Sequence, residues 1–411
     1  MPASPARRVA FDILLAVDQR GAFFDELLHS ARMDVLDTRD RALATEIVLG
    51  VLRRRGELDW MIERAARRKV AKLDPEVVTA ARIGAYQLRR LERIPAHAAV
   101  SDSVELIKAA GKPRAAGLVN AVLRRLPKAP DDRRAEELNY PNWLLDRWRK
   151  SFGEGACRGI LANGLVQPPS YVRLSARYPA GETIKGLRVE GVELEATDVT
   201  HAYRVTAGRV AGSAAERDGR VRIQDVGSQS VVPLLGLQPG HRFLDLCAAP
   251  GGKTAQAVDL LGGPNGVVAC DRHPARLRIL KRLSAEPVDL LVCDAARPLP
   301  LRRPFDRVLV DAPCSGTGTL AHNPDIKWRL RPQDLPDLQR RQAAILRTAL
   351  SAVADGGAAV YATCSLEPEE NDQVIDQVLS AVPAWRVTER MQRIPGRDEG
   401  DGFFAVRLER A

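Results

Sequence analysis

The sequence predicts three folded parts in succession: an all-α domain over 1–130, a small α+β module over 140–227, and an α/β domain over 228–411 with a mostly parallel sheet. Three observations carry this. Apolar residues recur at helical spacing through the first part. A Pro- and Asp-rich stretch at 127–132 then breaks the pattern. Beyond Ser228, short apolar runs of strand length alternate with helical stretches, the signature of a parallel sheet covered on both faces.

In the first part, Ile83, Leu88 and Leu91, then Leu118, Val119, Val122, Leu123 and Leu126, fall on helical faces. Breaks are expected at Gly21, Gly56, Pro75, Pro95 and between Gly111 and Pro113. The middle module opens with an amphipathic helix bearing Trp143, Leu144, Trp148 and Phe152. Strand-like pieces follow at 171–175, 192–196, 202–205 and 221–224. In the third part, strands are expected at 241–246, 266–270, 289–293, 307–310 and 358–362. Ligands of such sheets bind at the carboxyl ends of the strands.

Composition narrows the class. The chain has 411 residues, 45% hydrophobic and 28% charged, enough for several cores. No run of eighteen apolar residues occurs, and Asp12 interrupts the only apolar stretch near the N-terminus. Neither a membrane span nor a signal peptide is expected, which places the protein in the cytoplasm with no membrane partner. The net charge of +10 favours a polyanionic partner. Residues 1–140 hold 26 basic against 20 acidic residues, so the excess leans towards the front. Arg7, Arg8 and the run Arg53, Arg54, Arg55 are candidates for phosphate contact, a solvated face being the alternative for any one of them. Six cysteines form no CxxC pair, so no metal site is expected. Cys270 and Cys293 lie in strand-like runs and read as small core residues. Nothing demands more than a monomer.

The chemistry concentrates after the strands. The first strand of the α/β domain runs into Asp245-Leu246-Cys247-Ala248-Ala249-Pro250-Gly251-Gly252-Lys253-Thr254 and then a helix. Paired glycines let backbone approach a ligand, and a helix N-terminus favours negative charge. The stretch is not GxGxxG, and Cys247 stands where a phosphate-binding loop needs its first glycine. Asp271, Asp294 and Asp311 close the next three strands. Each by itself suits a helix cap. Three in register after a Gly-Gly loop favour an adenosyl ligand instead, with ribose hydroxyls and an adenine edge as partners. The fourth strand ends in Asp311-Ala312-Pro313-Cys314-Ser315-Gly316, and the fifth in Thr363-Cys364-Ser365 followed by Glu369-Glu370-Asn371. Two cysteines are thereby expected at one cleft, and position does not decide their roles.

The stretch from Asp245 to Thr254 resembles the cofactor motif of RNA cytosine-C5 methyltransferases. Gln224-Asp225-Val226-Gly227-Ser228-Gln229, Asn323-Pro324-Asp325-Ile326-Lys327-Trp328 and Asp401-Gly402-Phe403-Phe404 are similar to further family pieces, the last expected in an antiparallel hairpin closing the sheet. The resemblance implies a Rossmann-like class I methyltransferase domain using S-adenosylmethionine. By it, Cys247, Ala248, Ala249, Pro250, Gly251, Gly252 and Lys253 wrap the methionine part, Asp271 holds the ribose, Asp294 the adenine edge, and Asp311 borders both cofactor and base. It also implies that Cys364 attacks carbon 6 of the base and that Cys314 assists breakdown of the adduct. An enzyme methylating an exocyclic amine would carry Pro-Tyr or Pro-Phe where Pro313-Cys314 stands. The segments 94–100 and 117–124 resemble the NusB-like helical RNA-binding domain. The combination resembles the bacterial group within the family that acts on 16S (small-subunit) ribosomal RNA, the same reaction on transfer RNA and an inactive RNA-binding regulator being the alternatives. Two departures stand out. Arg173-Leu174-Ser175 appears where relatives carry Arg-x-Asn, and the connection at 283–287 is short.

Overall fold

Proline at the first helical position and Gly21 in the left-handed region bound the opening helix, Pro5–Arg20; proline's fixed φ and glycine's freedom favour those ends. The structure is a computed structural model that describes residues 3–283 and 287–411. The shortened connection at 283–287 thus has its middle, 284–286, outside the described residues. The chain divides into two compact units: residues 1–166 with 327–329, and residues 167–326 with 330–411.

The first unit is helical as expected. Helices Thr38–Arg53, Arg55–Ala66, Pro75–Arg90, Ala96–Ala109 and Ala116–Arg124 follow the first, and their apolar faces meet in one core around Ile13, Ile47, Leu58, Met61 and Ile83. Asp37 caps Thr38–Arg53, accepting the Asp40 amide at 2.7 Å. The amphipathic helix expected to open the middle module, Asn142–Asn163, falls in this unit. The ring of Trp148 packs edge-on to Tyr140 at 5.9 Å, and the Tyr140 hydroxyl donates to Leu161 O at 2.8 Å.

The arginines expected to contact phosphate are mostly spoken for. Arg7 donates to Gln87 at 2.6 Å and pairs with Asp102. Arg54 and Arg90 both reach the fully buried Glu57, and Arg55 pairs with Asp18. Arg53 is itself buried. A buried carboxylate without such partners would be costly, so these guanidinium groups serve the interior.

The second unit holds two sheets. Strands β1 (Tyr171–Leu174), β2 (Glu193–Ala196), β3 (Ala202–Ala207) and β4 (Val221–Ile223) form an antiparallel sheet in the order β2-β3-β1-β4. Arg173, in the departing triplet of β1, is almost wholly buried; it donates to Gln224 at 3.0 Å and pairs with Asp259. The larger sheet comprises β5 (Phe243–Asp245), β6 (Val267–Asp271), β7 (Asp289–Val292), β8 (Phe305–Asp311), β9 (Val353–Thr363), β10 (Trp385–Arg393) and β11 (Phe403–Arg410). Their order is β10-β11-β9-β8-β5-β6-β7. The five strands from β5 to β9 are parallel, and β10 and β11 form the expected antiparallel closing hairpin. The second half of β9, 357–363, is buried without alternation, as a strand covered on both faces must be. Among the described residues, no helix is long and apolar enough to cross a membrane.

Candidate active site

The chain order switches at β5, whose neighbours are β6 on one side and β8 on the other. The crevice beyond the strand ends at such a switch is where a ligand fits. A cavity of about 260 Å³ lies there. Seven of the residues singled out from the sequence line it: Cys247, Ala249, Asp271, Asp294, Asp311, Cys314 and Cys364. Ala248, Pro250, Gly251, Gly252 and Lys253 stand outside that wall.

After Asp245 the chain turns through 246–251 into the helix Gly252–Leu261. Ala248 N donates to Cys270 O at 2.8 Å, which fastens the turn to β6. Gly251 has φ +110°, and a Cβ there would sit 2.7 Å from Leu280 Cγ. The Cβ position of Gly252 has nothing nearer than 3.7 Å. The conformational demand therefore rests on one of the two glycines.

Carboxylates converge on this turn. Asp245 is 1% exposed and accepts the Thr254 hydroxyl at 2.7 Å. Burial pushes its carboxyl up to about 7; the Thr254 hydrogen bond works against this and the charge of Asp311 with it. Lys253 turns its Nζ to Asp311 Oδ2 at 2.8 Å, above the Phe403 ring at 4.8 Å. Asp271 Oδ1 accepts His273 N at 2.8 Å, and Asp294 Oδ1 accepts Ala296 N at 3.1 Å. Both carboxylates thus make a turn bond to the amide two residues on, neither of them a helix cap, while also facing the cavity. Cys293 is not the core residue its apolar run suggested: it lines the cavity, bonded to the buried Cys270. That bond lowers the Cys293 thiol and, with burial, raises Cys270.

Cys314 and Cys364 follow the ends of adjacent parallel strands paired Asp311 to Ala362, their Sγ atoms 3.4 Å apart. The bond to Cys364 and burial raise the Cys314 thiol well above its ordinary range. Below them lies Glu370, fully buried, which in the sequence is only one of a string of polar residues after the fifth strand. Arg341 and Phe403 also line the cavity, and no local pattern marks either for it.

Residues 232–409 match the family described as 16S rRNA methyltransferase RsmB/F, and residues 4–128 match the NusB family. The chain is 31% identical to a probable ribosomal RNA small subunit methyltransferase B of Synechocystis sp., over 99% of both chains. It is 34% identical to the ribosomal RNA small subunit methyltransferase B of Escherichia coli O157:H7, over 98% of both. The crystal structure of PH0851 has the same fold, with a TM-score of 0.80 over 100% of both chains at 24% identity.

Proposed function

Because the chain belongs to the RsmB/F family of 16S rRNA methyltransferases, we propose that it methylates carbon 5 of a cytosine in small-subunit ribosomal RNA through a covalent adduct with Cys364. The observation that carries this is the pair of thiols 3.4 Å apart at the ends of β8 and β9, opening on a cavity that Asp271, Asp294 and Asp311 also line.

The cavity suits S-adenosylmethionine in its donor set. Asp271 and Asp294, at successive strand ends, offer acceptors for ribose hydroxyls and an adenine amino group, and Cys247 and Ala249, in the turn that leads to Lys253, would border the methionine part. When bound, S-adenosylmethionine supplies a methyl group on a positively charged sulfur.

Cytosine C5 is a weak nucleophile. The Cys364 thiolate adds to C6, and the electron pair moves to C5, which then accepts a methyl group. Asp311, held by Lys253 and lining the same cavity, is the acidic group assigned to the N3 side of the base. Removal of the C5 proton then expels the Cys364 thiolate. Cys314, whose thiol keeps its proton, assists that release. The 3.4 Å separation of the sulfurs supports a pair acting on one base; the division of labour between them follows from the family resemblance.

Bisulfite sequencing of ribosomal RNA from a strain lacking the gene tests the substrate: one small-subunit cytosine should lose its protection, and an unchanged pattern refutes the reading. For the thiols, Cys364→Ala should abolish turnover. Cys314→Ala should accumulate a protein–RNA adduct seen as a shifted band on a denaturing gel; the reverse assignment overturns the mechanism.

A further inference from the structure

Glu370 gathers donors from three elements. Its Oε1 accepts Ser315 N at 2.8 Å and Gln342 Nε2 at 3.0 Å, and its Oε2 accepts both the Ser315 and the Ser365 hydroxyls. Its backbone carbonyl accepts the Tyr361 hydroxyl at 2.6 Å. Gln342 also donates to Pro313 O at 3.0 Å. Ser315 directly follows Cys314 and Ser365 directly follows Cys364, so one carboxylate holds both cysteine-bearing loops. Among the described residues, Glu370 has no cation within ion-pair distance. A fully buried carboxylate satisfied by hydrogen bonds alone is an expensive anchor, and here every bond goes to the loops or to the element beneath them.

We propose that Glu370 is a positioning residue of the reaction, fixing the separation and the distinct tasks of the two thiols by binding the loop after β8 and the loop after β9 to one carboxylate. The inference rests on the roles given above to Cys364 and Cys314. Geometry is its first support: the sulfurs lie 3.4 Å apart only while both loops hold station, and a shift of about 1 Å at such a site can cost a hundredfold in rate. Charge is the second. Cys314 is raised first by its bond to Cys364 and by burial, and Glu370 adds to this through its negative charge. Other groups near Cys314 are Tyr361, held protonated by burial, and Asp311, Cys247 and Arg341 around the same cavity. Glu370 thus helps keep the proton on Cys314, the thiol that does not attack.

Site-resolved alkylation with iodoacetamide between pH 6 and 10, read by mass spectrometry on the full-length protein, tests this beside methyl transfer to the RNA substrate. In the wild type, Cys364 should label before Cys314. Glu370→Gln keeps the shape and one acceptor but turns a donor towards two hydroxyls. It should reduce kcat by about 10- to 100-fold, leave KM for RNA and cofactor affinity within about twofold, and lower the labelling preference for Cys364 about tenfold. The double variant Ser315→Ala with Ser365→Ala leaves the carboxylate and its amide contacts in place and should lower kcat and the labelling preference in the same way, again with little change in KM. Wild-type kcat and labelling preference in both variants overturn the proposal. So does the failure of both to fold, which would reduce Glu370 to a structural anchor. An active Cys364→Ala enzyme would instead sink the cysteine assignment itself; an inactive one beside a normal Glu370→Gln sinks only the present inference.

Discussion

Asp245→Asn should make the protein more stable, by a margin that grows from pH 3.8 to about 7 and then holds. Asp245 is 1% exposed, and burial raises its carboxyl from 3.8 to about 7, against the pull of the Thr254 hydroxyl. For an acid whose folded value lies above its unfolded one, the native state holds a proton that the unfolded chain gives up. Stability from this group is therefore complete below pH 3.8 and is lost as pH rises to about 7. A tenfold change in proton affinity is worth about 1.4 kcal/mol, so the loss reaches about 4 kcal/mol as an upper bound. Relaxation and water entry in a real interior reduce it.

Asparagine occupies the same volume, still accepts from Thr254, and carries no charge at any pH. The gap between variant and wild type should therefore be small near pH 4.5, widen up to about pH 7 and level off above it. Melting of the apo protein across this range reads it directly, at about 2–4 °C per kcal/mol for a unit of this size. A gap that stays flat with pH would be incompatible with a carboxyl that is neutral in the fold and charged in the unfolded chain. A variant less stable than wild type at pH 8.5 would show that the fold favours the ionised carboxylate, so that its value lies below 3.8 and not above it.

Three further outcomes are expected. Asp271→Ala should weaken S-adenosylmethionine binding at least about tenfold by calorimetry, a loss of about 1.4 kcal/mol; unchanged affinity counts against the ribose role. Arg173→Ala strands Asp259 and removes a donor from Gln224. It should cost about 3–5 kcal/mol in denaturant unfolding, and a loss below about 1 kcal/mol would mean that the pair is not stabilising. Gly318→Ala places a Cβ 2.4 Å from Gly402 O and 2.8 Å from Cys364 O, all backbone. It should destabilise by about 1–3 kcal/mol and slow adduct formation by moving the Cys364 loop; a variant with wild-type rates and melting would show that the loop yields freely.

What is legible in the sequence follows from the range over which each signal acts. The strands β5 to β9 and the residues that end them are local patterns of apolar runs and turns, so Asp271, Asp311, Cys314 and Cys364 can be set at one sheet edge without coordinates. The ion pairs of Arg54 with Glu57 and Arg55 with Asp18 are not legible in the run at 53–55, because those partners declare themselves only when the helices pack. Glu370 escapes for the same reason: its bonds to Ser315 and Gln342 span 55 and 28 residues, and no periodicity marks a side chain whose task is to join two loops.

The strand-end carboxylates carry this further. Capping and ligand binding stand as alternatives for Asp271 and Asp294 in the sequence, yet each makes a local turn bond with one oxygen while lining the cavity. The turn bond orients the carboxylate before any ligand arrives, so less ordering is left to be done on binding. A residue that serves the fold in this way is the one best placed to serve the ligand, because its geometry is set in advance. The same logic joins Lys253 to Asp311 and Glu370 to the two serines. In each case, a buried polar contact that looks structural holds a reactive group where the chemistry needs it.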